Sequence, residues 1–103
     1  MAMLTLSERQ DDTAVTVVVT GDLDFASRAL VMACAWQALR NHPGRLVIDA
    51  SGLTFMDAAG LGALVAVRVR AARQRTALEV AGAPPHVLRV MDVTGTRCHF
   101  QIT

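Results

Sequence analysis

Residues 46–75 constrain the fold more than any other part of the chain. Leu46-Val47-Ile48 is a short apolar run closed by Asp49, the pattern of a buried strand. Leu53-Thr54-Phe55-Met56-Asp57 follows, and Ala58 opens a long apolar, arginine-bearing segment that reads as a helix to about Arg75. Asp57 is the natural N-cap of that helix. Its short carboxylate can accept from first-turn N–H groups, and its charge suits the positive end of the helix dipole. Gly60 and Gly62 leave one side of the first turn without side chains, so another backbone or a partner can come close.

The flanking segments repeat the same logic. Leu4-Thr5-Leu6-Ser7 is a candidate edge strand, Gln10-Asp11-Asp12 a turn, and Ala14–Thr20 a β-branched strand that should be central. Their close spacing predicts an antiparallel hairpin. Gly21-Asp22-Leu23-Asp24 is expected to end the second strand. A helix is predicted from about Ser27 to Asn41, with Leu30, Val31, Cys34 and Ala38 facing the sheet and Met32, Trp36 and Leu39 on another side. Arg45–Asp49 is the third strand, and Ala50-Ser51-Gly52 leads to the turn before Asp57. In the second helix Leu61, Leu64, Val65 and Ala72 carry the helical period, while Ala59, Ala63 and Ala66 form a flat strip. Thr76–Ala81, a helix from His86 to about Val93 behind Pro84-Pro85, and a last strand Cys98–Ile102 complete the chain. The order β-β-α-β-α-β-α-β implies one α/β domain over 1–103, mostly parallel, with helices packed on the sheet.

Several function classes are disfavoured. The net charge is +1, which argues against a dedicated nucleic-acid binder. No apolar run approaches the roughly 20 residues of a membrane span, so no membrane insertion is expected. The N-terminus lacks a basic region followed by an apolar core, which leaves the cytoplasm as the expected compartment. Cys34 and Cys98 fit no metal or redox spacing and are read as reduced core thiols. The three histidines are scattered, Gly60-Leu61-Gly62 is only a fragment of a dinucleotide fingerprint, and no nucleophile elbow is present. Asp22, Asp24 and Asp57 could converge at one end of the sheet, but turn and capping roles explain them without a metal. No enzyme and no cofactor are expected.

Four stretches carry a family resemblance: Gly21-Asp22-Leu23-Asp24; Val47-Ile48-Asp49; Phe55–Gly62; and Pro84 with His86–Met91 and Thr94-Gly95. Together they cover nearly the whole chain. It resembles a STAS domain, the fold of bacterial anti-sigma factor antagonists. The resemblance implies a protein that binds an anti-sigma factor, itself a serine-threonine protein kinase, and so frees a sigma factor for transcription. It implies a partner surface at Asp22, Asp24, Met56, Asp57, Ala58, Ala59, Gly60, Gly62 and Ala63.

Two departures matter. The family usually has Asp-Ser/Thr-Ser-Gly where this chain has Asp57-Ala58-Ala59-Gly60, and the kinase ends binding by phosphorylating the residue after the Asp. Ala58 has no hydroxyl and cannot accept phosphate. Three explanations fit: a natural member that does not switch here, an engineered form locked unphosphorylated, or takeover by Ser51 or Thr54, the weakest because neither matches the position. The family also usually has one more helix after the last strand, whereas this sequence stops at Thr103. Its absence would open apolar surface near Trp36 or the first helix; either a second copy covers it as a homodimer, or the chain is a truncated form. An adaptor subunit of a signalling or transport assembly is the alternative function.

Overall fold

Five strands form one sheet in the order β1-β2-β3-β4-β5. The computed structural model of the protein describes residues 2–103. The strands are β1 (Thr5–Gln10), β2 (Ala14–Leu23), β3 (Arg45–Met56), β4 (Ala77–Ala81) and β5 (Gln101–Ile102). The helices are α1 (Arg28–Leu39), α2 (Ala58–Arg73) and α3 (Pro85–Thr94). β1 pairs with β2 antiparallel, as the short Asp11-Asp12 connection predicts, and every other pairing is parallel.

Each parallel strand is added beside the previous one in chain order. Right-handed crossovers then place every helix on the same face. α1 accordingly packs on α2, and α2 on α3. Val15, Val17 and Val19 of β2 and Leu46, Ile48 and Ala50 of β3 point under the helices and are buried. They meet Val31, Ala35 and Leu39 of α1, Leu61, Leu64 and Val67 of α2, and Val87 and Met91 of α3. Each fully buried Val, Leu, Ile or Met among them contributes about 1.5–3 kcal/mol relative to exposure. The opposite face of the sheet is polar, with an Arg45–Glu79 ion pair at 3.3 Å.

Several expectations are corrected. β2 does not end before Gly21: it continues to Leu23 through register shifts at Val18/Thr20 and Gly21/Asp22. Gly21 takes φ +102°, and a Cβ there would stand 2.3 Å from the carbonyl oxygen of Met3. β3 does not end at Asp49 but runs to Met56, because Gly52, Leu53, Phe55 and Met56 pair with the extended part of β2. On α1 the inward stripe is Val31, Ala35, Ala38 and Leu39; Leu30 is 55% exposed. The helix is apolar nearly all round, so its buried side is set by docking rather than by pattern. On α2, Ala72 is exposed. Arg97–His99 forms a short 3-10 turn in place of the start of a strand, and this leaves Cys98 exposed rather than in the core. Cys34 is half-buried, and that burial raises its thiol pKa.

Candidate functional site

The start of α2 is built by local chemistry and then clamped to the sheet. Asp57 is the N-cap in extended geometry, and its carboxylate accepts the Gly60 N–H at 2.8 Å. The Asp57 N–H donates to the Leu23 carbonyl at 3.3 Å. That same carbonyl lies against Gly60, where a Cβ would stand 2.1 Å from its oxygen. The close approach foreseen at Gly60 is therefore the end of β2, and Gly60 is buried. Gly62 has nothing within 4 Å of a built Cβ and faces solvent.

Asp22 plays a different part from the one expected of a partner-facing acid. It is 8% exposed. Its carboxylate accepts the Thr54 hydroxyl at 2.6 Å and the Ala2 N–H at 3.0 Å. Its own N–H donates to the Ala2 carbonyl at 3.0 Å. Asp22 thus ties the N-terminal segment, β2 and β3 together. Asp24 and Ser27 form a reciprocal turn: the Ser27 N–H donates to Asp24 Oδ1, and the Asp24 N–H donates to Ser27 Oγ, each at 3.0 Å. Asp22, Asp24 and Asp57 lie at one end of the sheet, yet each carboxylate has its own hydrogen bonds. Among the described residues no three His, Cys, Asp or Glu are grouped as metal ligands.

The predicted site residues therefore divide. Asp22, Met56, Gly60 and Ala63 are buried and hold the turn in place. Asp24, Asp57 and Ala59 are partly exposed, and Ala58 and Gly62 are exposed. The first-turn amides of Ala58 and Ala59 have no intrahelical acceptor, which leaves them for solvent or a partner. Three exposed apolar residues were not assigned to the site from sequence: Val93, 81% exposed and lining a groove with Ala58, and Phe25 at 65% and Phe55 at 46%, which follow Leu23 and precede Asp57 at the same end of the sheet. Each follows or ends an element at this rim, and large apolar residues beside turns were the available signal. Ala58 borders a groove of about 290 Å³ with Arg89, Val90, Val93 and Thr94. On its other side α2 borders a second groove, of about 530 Å³, against α1.

The two neighbouring hydroxyls are already engaged. Thr54 Oγ1 donates to Asp22, and Ser51 Oγ donates to Asp49 Oδ1 at 2.7 Å. The arrangement offers a partly recessed surface of small and apolar residues beside the first-turn amides of α2.

Comparison with known proteins agrees with this geometry. Residues 6–97 match the family described as "Mlab, STAS domain". A STAS-domain containing protein of Pseudomonas aeruginosa is 24% identical over 93 residues, covering 90% of this chain and 91% of that one. Among solved structures, an anti-sigma factor antagonist from Mycobacterium paratuberculosis superposes with a TM-score of 0.87 at 24% identity, over 97% of this chain and 85% of that one. The anti-sigma factor antagonist SpoIIAA in its unphosphorylated form gives 0.74 at 14% identity, over 96% and 87%. By sequence match, strand order and helix placement together, this chain belongs to the STAS-domain family.

Proposed function

We propose that the protein is a binding regulator of the anti-sigma factor antagonist type, acting without catalysis or cofactor. Its partner is an anti-sigma factor with serine-threonine kinase character, and the compartment is the cytoplasm. The observation that carries this reading is the exposure of Ala58 at a capped helix start, beside a groove that Val93 lines, with Phe25 and Phe55 exposed at the same end of the sheet. A protein partner would cover these apolar side chains and satisfy the Ala58 and Ala59 amides. Asp24, Asp57, Ala58, Ala59 and Gly62 form the contact surface. Asp22, Met56, Gly60 and Ala63 support it from beneath.

Residue 58 has a methyl group where a phosphate acceptor would stand, so binding is not cancelled by phosphorylation at this turn. Incubation with a cognate kinase and ATP, followed by peptide mass mapping, tests this. The expected result is no phosphate between Leu53 and Gly62, and one phosphate on an Ala58→Ser variant. Phosphate on the parent turn contradicts the reading.

The same missing hydroxyl favours a second reading, a STAS adaptor subunit in a signalling or transport assembly, since a constitutive subunit needs no switch. Titration against a purified kinase-type anti-sigma factor and against a transporter subunit from the same genome separates the two. A homodimer is also proposed; light scattering across a concentration series tests it.

A further inference from the structure

The charges of this nearly neutral chain are segregated. α1 and α2 contain no acidic residue, while the helix layer and its C-terminal ends carry Arg28, Arg40, Arg70, Arg73 and Arg75. Among the described residues none of these five has an ion-pair partner; the pairs formed are Arg45–Glu79, on the sheet, and Arg97–Asp92, at the end of α3. Two of the five lie over aromatic rings. The Arg28 guanidinium sits 4.1 Å from the Phe25 ring centroid, and that of Arg70 sits 4.8 Å from the Trp36 ring centroid. A stacked guanidinium keeps its N–H edge free and fixed, which suits bidentate binding of a carboxylate.

These two arginines bracket the seam between α1 and α2. Arg28 lines one end of the 530 Å³ groove, whose walls are Ala29 and Met32 from α1 and Ala59, Gly62 and Ala66 from α2. Arg70 follows the same stripe of α2, four residues beyond Ala66. Trp36, under Arg70, is eight residues past Arg28, or about 12 Å of helix axis.

We infer that this seam binds an acidic amphipathic helix of a protein partner. Two carboxylates about seven or eight positions apart meet Arg28 and Arg70, and an apolar side chain between them enters the groove. Charge complementarity selects an acidic occupant, because neither Arg28 nor Arg70 is held in an ion pair and the acids nearest Arg28, Asp24 and Asp57, are bound to backbone amides. The recessed apolar floor selects a side chain rather than a sugar-phosphate backbone or the flat surface of a bilayer. The inference rests on the reading that α2 faces a partner, and it extends that contact from the start of the helix along its length.

The probe is a synthetic helical peptide with two glutamates seven positions apart flanking a leucine, titrated into nitrogen-15-labelled protein. The expected result is amide shifts concentrated at Ala29, Gly62 and Ala66, with affinity falling as salt rises from about 50 to about 300 mM. The double variant Arg28→Glu/Arg70→Glu should weaken binding roughly tenfold, and Arg70→Gln, which keeps its stem on Trp36, roughly threefold. A peptide of the same composition with adjacent glutamates should bind more weakly. Shifts elsewhere, equal affinity for the variants, or uptake of the protein by phosphatidylglycerol vesicles with no response to the peptide overturns the inference. An Ala58→Glu protein should retain the peptide, so failure at the helix start and failure at the seam are distinguishable.

Discussion

The Leu23 carbonyl both accepts the Asp57 N–H and presses on the bare face of Gly60, so one oxygen fixes where α2 begins. A Cβ at Gly60 would stand 2.1 Å from that oxygen, and the obstacle is backbone, which cannot rotate aside. Gly60→Ala should therefore destabilise the domain by about 1–3 kcal/mol through overpacking. Gly62→Ala meets nothing within 4 Å. There the gain in helix propensity should stabilise by up to about 1 kcal/mol. Urea unfolding of the two variants checks both signs.

Asp22 joins three separate parts of the chain through Thr54 and Ala2. Asp22→Ala should cost about 1–3 kcal/mol, because it removes the acceptor of a part-buried hydroxyl and of a backbone N–H. It should also raise hydrogen exchange in residues 2–4, next to Gly21, while leaving α2 protected. Exchange mass spectrometry with urea unfolding provides the measurement.

Acid should unfold the protein partly through Asp49 and Asp11. The hydroxyl of Ser51, and then its N–H, hold the Asp49 carboxyl below its ordinary value of 3.8. The Ala14 and Thr13 N–H groups do the same for Asp11. A carboxyl depressed in the folded state stabilises fully above its unfolded pKa, near 3.8, and that contribution disappears as pH falls through the lower folded value. Ser51→Ala should raise the Asp49 pKa toward 3.8 and shrink this acid-sensitive contribution. A carbon-13 titration of Asp49 in both proteins checks the direction.

Local signals were legible and long-range ones were not. The Asp57 cap was readable because acceptor and donor are three residues apart. The β1–β2 hairpin and the parallel order followed from spacing and alternation. The extension of β3 through Ala50-Ser51-Gly52 was hidden, because those residues favour turns and become strand only by pairing with β2. Asp22 looked like a surface acid since its partner Thr54 is 32 residues away. Phe25, Phe55 and Val93 read as ordinary apolar residues; only folding shows that they stay outside. The roles of Gly60 and Gly62 separate for the same reason, since one faces β2 and the other faces solvent.

Leu64 and Ala58 separate stability from binding. Leu64 is 1% exposed, so Leu64→Asp buries an unpaired charge and should unfold the domain. Ala58 is exposed, and a glutamate in the first turn of α2 suits the helix dipole. Ala58→Glu should keep the circular dichroism and melting temperature of the parent.

The most direct test is isothermal titration of a kinase-type anti-sigma factor with the parent and with Ala58→Glu. The account predicts that the variant, folded and equally stable, binds at least about tenfold more weakly, because it places a negative charge where an apolar surface must close. Equal affinity would contradict the assignment of the α2 start as the docking surface.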